Sequence, residues 1–168
     1  MRLFFALWPP REAAEALHTW ALLAQRATGG RVTRAETIHL TLAFLGEVEA
    51  GLACVLQGIP IEGKRHSLPI EEARFWAHNR IVWAGPRETP EALGSLSSSL
   101  SLQLKEKGFR TESRKFAAHI TLIRKAREAG ALPPLPVVDW PVGEIVLVRS
   151  QLSAAGSRYE VIGRFALS

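Results

Sequence analysis

The chain has 168 residues, 47% of them hydrophobic and 22% charged, with a net charge of +5. That composition excludes disorder, collagen and a disulfide scaffold, and fits one soluble globular domain spanning residues 1–168. The lone Cys54 can form no internal disulfide or cysteine-pair zinc site, no apolar run reaches the roughly 20 residues of a membrane span, and the mainly arginine cations point to an anionic partner, nucleic acid first.

In chain order, the apolar run Arg2–Trp8 predicts a buried strand ended by Pro9 and Pro10. Met1–Pro10 is too short for a signal peptide and lacks a small-residue cleavage site, so with the unpaired Cys54 a cytoplasmic protein is expected. Ala13, Leu17, Trp20, Ala24 and Ala27 predict a helix over Arg11–Thr28, stopped by Gly29 and Gly30. Alternation over Ile38–Leu45 predicts a second strand closed by Gly46, and Val48–Gln57 a short helix. Leu68–Trp76 and Ile81–Ala84 form two further strands, with Ala77–Arg80 as the turn between them. Pro90–Lys107 is a long helix with Leu93, Leu96, Leu100 and Leu104 on one face and Gly108 just past its end. Lys115–Ile123 is a strand, Pro133, Pro134 and Pro136 mark an extended connector, and strands Val142–Val148 and Tyr159–Leu167 close the chain. Two long helices, each flanked by strands, predict two similar α+β halves packed together. The glycines form no dinucleotide or phosphate loop.

One motif stands out. His39-Leu40-Thr41-Leu42 recurs as His119-Ile120-Thr121-Leu122, each on a predicted strand. Residues i and i+2 of a strand share a face, so each tetrad presents an imidazole beside a hydroxyl while the leucines and isoleucine turn inward. Two histidines flanking one ligand suit general acid–base work, because an imidazole titrates near neutrality. The threonine hydroxyls can donate to the oxygens of an anionic reaction centre. Neither tetrad contains Asp or Glu, and there is no HxH, HExxH or cysteine pair, so no metal site is expected. Taken singly, either histidine could be structural; the matched pairing favours catalysis. His18, His66 and His78 are expected at the surface, and Cys54 as a small buried hydrophobe.

The paired H-x-T-L tetrads resemble the two-histidine (2H) phosphoesterase superfamily, and within it the RNA 2′,3′-cyclic phosphodiesterases, historically called 2′-5′ RNA ligases. Supporting features are Met1–Ala6, the extension His39–Gly46, the segment Phe75–Gly85, the run His119–Arg124, and Ser150-Gln151-Leu152 followed by Gly156, Tyr159 and Phe165. The resemblance implies a bilobal α+β fold of two pseudo-symmetric lobes, each with an antiparallel sheet and helices, with the active-site cleft between them. It implies an enzyme that takes RNA 3′ ends or nucleotides carrying a 2′,3′-cyclic phosphate, needs no cofactor or metal, and works as a monomer away from membranes. Under it, His119 activates water, His39 protonates the departing 3′ oxygen, and Thr41 and Thr121 hold the non-bridging oxygens. Attack by a 5′-hydroxyl instead of water would give a 2′-5′ linkage.

Arg124 falls three residues beyond Thr121, on the opposite face of a regular strand. Only an end or bend near Ile123 would bring its guanidinium to a base or a phosphate, as the resemblance implies. Phe4 and Tyr159 are candidate walls of a base pocket, and the cations between Lys105 and Arg127 a rim for the RNA backbone. The alternatives are a non-catalytic RNA- or nucleotide-binding module of the same fold, and an esterase acting on another cyclic nucleotide or a 2′-5′ oligonucleotide.

Overall fold

The computed structural model describes all residues, Met1–Ser168. In chain order the elements are β1 (Arg2–Leu7), α1 (Arg11–Thr28), β2 (Arg31–Val32), β3 (Leu40–Glu47), α2 (Ala50–Gln57), β4 (His66–Ser67), β5 (Glu72–Trp76), β6 (Ile81–Gly85), α3 (Glu91–Glu106), β7 (Ile120–Arg124), β8 (Pro141–Val142), β9 (Glu144–Ser153) and β10 (Gly156–Ala166). The two long helices lie within a residue of their expected bounds. Both begin after a proline, whose fixed φ suits a helix start. A glycine with φ of 61° ends α1 at Gly29, and Gly108, with φ of 84°, follows α3.

All strand pairs are antiparallel. The main sheet runs β10-β9-β1-β3-β7-β6-β5, with β2 paired to β7. The two expected halves are visible in this order. The unit β1-α1-β3, flanked by β9, is repeated as β6-α3-β7, flanked by β5. The result is an α+β fold of two lobes, in which the two sheets are continuous through one backbone pair, Leu40 with Ile120.

The helices cross over. Although α1 follows β1 in the first lobe, it packs on β2 and β7, while α3 packs on β3. Leu93, Leu96, Leu100 and Leu104 of α3 are at most 1% exposed. Burying each is worth about 2 kcal/mol, so α3 is held mainly by its apolar stripe. β1 is covered on both sides: Leu3, Phe5 and Leu7 join the main core, while Phe4 and Ala6 join a smaller cluster with Val146 and Val148.

Several strands are shorter than the sequence suggests. Residues 68–71 and 115–119 lie outside regular strands, so β5 begins at Glu72 and β7 at Ile120. Before β5 the chain is tied only by single bonds from the Leu68 N–H to the Trp140 carbonyl and from the Glu71 N–H to the Gly85 carbonyl. β3 likewise begins at Leu40, after a 3-10 turn at Ala35–Thr37. The two-residue strands β2, β4 and β8 are too short to leave a periodic signal. Cys54 is exposed on α2 rather than buried, because the inward face of that helix is filled by Ala53 and Leu56. His18 and His66 are partly buried rather than at the surface. Their Nδ1 atoms lie 3.0 Å from the Thr33 carbonyl and 2.8 Å from the Lys64 carbonyl, while His78 is exposed as expected.

Candidate active site

The bridge between Leu40 and Ile120 sets the geometry of the site. Continuing that antiparallel register one residue each way puts His39 opposite Thr121 and Thr41 opposite His119. Leu40 and Ile120 point into the core with no exposure, so the four odd-numbered side chains share the other face. There they line one cleft of about 260 Å³, together with Arg31, Arg34, Arg124 and Tyr159. A larger groove of about 980 Å³ runs along β5 and residues 128–138, but it contains no histidine.

The two histidines are held by the same local device. Nδ1 of His39 lies 2.7 Å from the Thr37 carbonyl, and Nδ1 of His119 lies 2.8 Å from the Ala117 carbonyl. Each bond runs two residues back, from a histidine standing just before its strand. The N–H donated to the carbonyl fixes the tautomer and leaves Nε2 as the working atom of each ring.

Their surroundings differ. Trp8 stacks on His39 at 4.9 Å, with Phe4 at 5.0 Å and the edge of Tyr159 at 5.4 Å. This aromatic enclosure strips water from the ring. Burial is the main reason the His39 pKa falls from 6.5 to about 4. The Thr37 carbonyl opposes the fall, while the charges of Arg124 and His119 add to it. His119 rests on the tilted ring of Trp76 at 4.7 Å, with Trp83 at 6.4 Å.

Both tetrads carry a β-bulge at their leucine. Phe5 pairs with Ala43 and Ala6 with Thr41, skipping Leu42; Val82 pairs with Ile123 and Trp83 with Thr121, skipping Leu122. In β7 the extra residue makes Leu122 and Ile123 both fully buried, and alternation restarts one residue late. Arg124 therefore returns to the cleft face, and Lys125 then turns the chain away with φ of 55°. The anticipated bend is a bulge one residue earlier.

The sequence-derived residues His39, His119, Thr41, Thr121, Arg124 and Tyr159 all line the cleft. Phe4 does not line it; at 4% exposure it lies beneath His39, edge-on to Tyr159. Sequence reasoning did not single out Trp8, Trp76, Arg31 or Arg34. Arg34 donates from Nη2 to the Ser157 carbonyl at 2.7 Å, pinning the β9–β10 hairpin at the cleft wall. No local signal marks these residues, because each is brought in by strands distant in sequence. The cleft lining carries two imidazoles, three guanidiniums and no carboxylate, a donor-rich surface suited to an anion. Nowhere do three His, Cys, Asp or Glu side chains gather as metal ligands, and no helix is long and apolar enough to cross a membrane.

Comparison with known proteins gives a consistent picture. The family described as LigT like phosphoesterase matches residues 7–83. The RNA 2′,3′-cyclic phosphodiesterase of Escherichia coli is 36% identical over 99% of this chain and 97% of its own length. That of Thermus thermophilus is 34% identical over 99% and 90%. The crystal structure of E. coli LigT complexed with 3′-AMP superposes with a TM-score of 0.88 at 36% identity, covering 99% of this chain and 98% of that one.

Proposed function

Since the chain belongs to the LigT-like phosphoesterases, and among them to the RNA 2′,3′-cyclic phosphodiesterase family, we propose that it opens the 2′,3′-cyclic phosphate at an RNA 3′ end to a 2′-phosphate by paired-histidine acid–base catalysis. The observation that carries this reading is the matched pair of imidazoles. Each has Nδ1 tied to the carbonyl two residues back, and both face one carboxylate-free cleft.

The phosphorus sits between the two rings. Nε2 of His119 takes a proton from water as its oxygen bonds to phosphorus, the bond to O3′ breaks in line, and Nε2 of His39 gives its proton to O3′. One water is consumed, and the pair ends with its proton transferred from His39 to His119. The hydroxyls of Thr41 and Thr121 donate to the non-bridging oxygens as negative charge builds there. His39 is desolvated by its aromatic surroundings and mostly neutral at pH 7. The anionic phosphate draws a proton onto it, so binding is coupled to proton uptake.

A 5′-hydroxyl in place of water would complete the same displacement and leave a 2′-5′ linkage, which is how ligation would arise from one site without a nucleotide cofactor. The test is incubation with a 2′,3′-cyclic nucleotide in excess chelator, with the product identified. The 2′-monophosphate is expected. The 3′-monophosphate would show that the other oxygen leaves, and a requirement for added metal would discard the mechanism.

A further inference from the structure

Arg31 and Arg124 are direct cross-strand partners where β2 meets β7, and both line the cleft. Like charges placed opposite each other on neighbouring strands repel. Neither residue takes part in any of the protein's ion pairs, so no carboxylate relieves that repulsion. Arg34 is different: it is occupied by Glu36 at 3.4 Å and by the Ser157 carbonyl.

The pair is held in place by specific packing. A Cβ on Gly30 would come within 2.4 Å of the Arg124 carbonyl oxygen, so only glycine lets β2 lie this close to β7. Beyond the pair, the Thr33 N–H bonds the carbonyl of the bulged Leu122 at 2.8 Å, and its hydroxyl bonds the Thr121 carbonyl at 3.1 Å. The strap that carries Arg31 is thus fastened to the strand that carries Thr121 and Arg124. Thr121 and Arg124 are about 10 Å or less apart along that strand, within reach of a long guanidinium stem.

We propose that Arg31 and Arg124 together clamp a second phosphate, the one on the 5′ side of the terminal nucleotide, so that the site is built for the end of a polynucleotide chain rather than for a nucleoside 2′,3′-cyclic phosphate. This rests on the reading that the two histidines act on the cyclic phosphate. One anionic reaction centre does not balance an uncompensated pair of guanidiniums in addition to the hydroxyl donors. A diester one nucleotide away accepts from both forks at once.

The experiment compares kcat/KM for adenosine 2′,3′-cyclic phosphate with a free 5′-hydroxyl, its 5′-phosphorylated form, and a dinucleotide ending in the same cyclic phosphate. In the wild type, both substrates with the added phosphate are expected to exceed the first by about tenfold or more, mainly through KM. Arg31→Gln should collapse that ratio to below about twofold, and Arg31→Lys should restore part of it. Equal kcat/KM values for all three substrates in the wild type, or an equal loss on all three in Arg31→Gln, would overturn the clamp while leaving the histidine mechanism intact. Absence of turnover on every substrate would overturn the histidine reading instead. Binding then decides the clamp alone: adenosine 2′,5′-bisphosphate should bind the wild type about tenfold tighter than adenosine 2′-phosphate, and Arg31→Gln should lose the difference.

Discussion

Trp8 lies flat against His39, the two rings 8° from parallel with centroids 4.9 Å apart. This contact is a large part of what keeps water from the imidazole, and desolvation is the main cause of its lowered pKa. Because kcat/KM reports the ionisations of free enzyme, its acid limb in the wild type should fall near pH 4. Trp8→Ala admits water to the ring and should move that limb upward toward 6.5. A pH–rate profile of the two proteins checks this; an unmoved limb would mean that Trp8 does not set the protonation of His39.

The same shift makes folding depend on pH. The unfolded chain protonates His39 as pH falls through 6.5, while the folded chain resists until about 4. The contribution is therefore fully present above 6.5 and is lost as pH falls through that window, up to about 3 kcal/mol. His39→Gln removes the linkage, so its unfolding free energy should fall less than that of the wild type between these limits. Denaturant titrations at several pH values measure the difference; parallel declines would contradict it.

Thr41 and Thr121 line the cleft, and neither hydroxyl is buried without a partner. Replacing either with the nearly isosteric valine removes one donor to the charge that develops on the phosphate oxygens. We expect kcat to fall by about tenfold to a hundredfold, with a smaller effect on KM. Equal turnover in wild type and Thr121→Val would remove the hydroxyls from the mechanism.

Gly30 has φ of 87° and no room for a Cβ against the Arg124 carbonyl. Gly30→Ala should lift β2 from β7 and cost about 2 kcal/mol or more of stability, seen as a lower Tm. Stability equal to the wild type would mean the strap can shift without cost.

Much of this architecture is local and could be anticipated. The stripes of α1 and α3, the prolines that start them and the glycines that follow them all lie within one helix length. The tetrads declare their shared face through period-two alternation. What escaped depends on strands far apart in the chain. The bulge at Leu122 exists only because β6 pairs on both sides of it, so the face of Arg124 could not be reached by counting along β7. Trp8 and Tyr159 meet over His39 from opposite ends of the sequence. Arg31 follows a glycine pair that, along the sequence, only stops a helix; its partner, Arg124, lies on another strand.

The rate of 2′,3′-cyclic AMP hydrolysis in His39→Ala, His119→Ala and the double variant tests most directly whether two imidazoles act together on one phosphorus. Each single substitution should lower kcat by about a hundredfold or more, and the double should be little worse than either single, because acid and base act in one step. Near-wild-type turnover in either single variant would contradict a shared reaction centre, as would losses that simply multiply in the double.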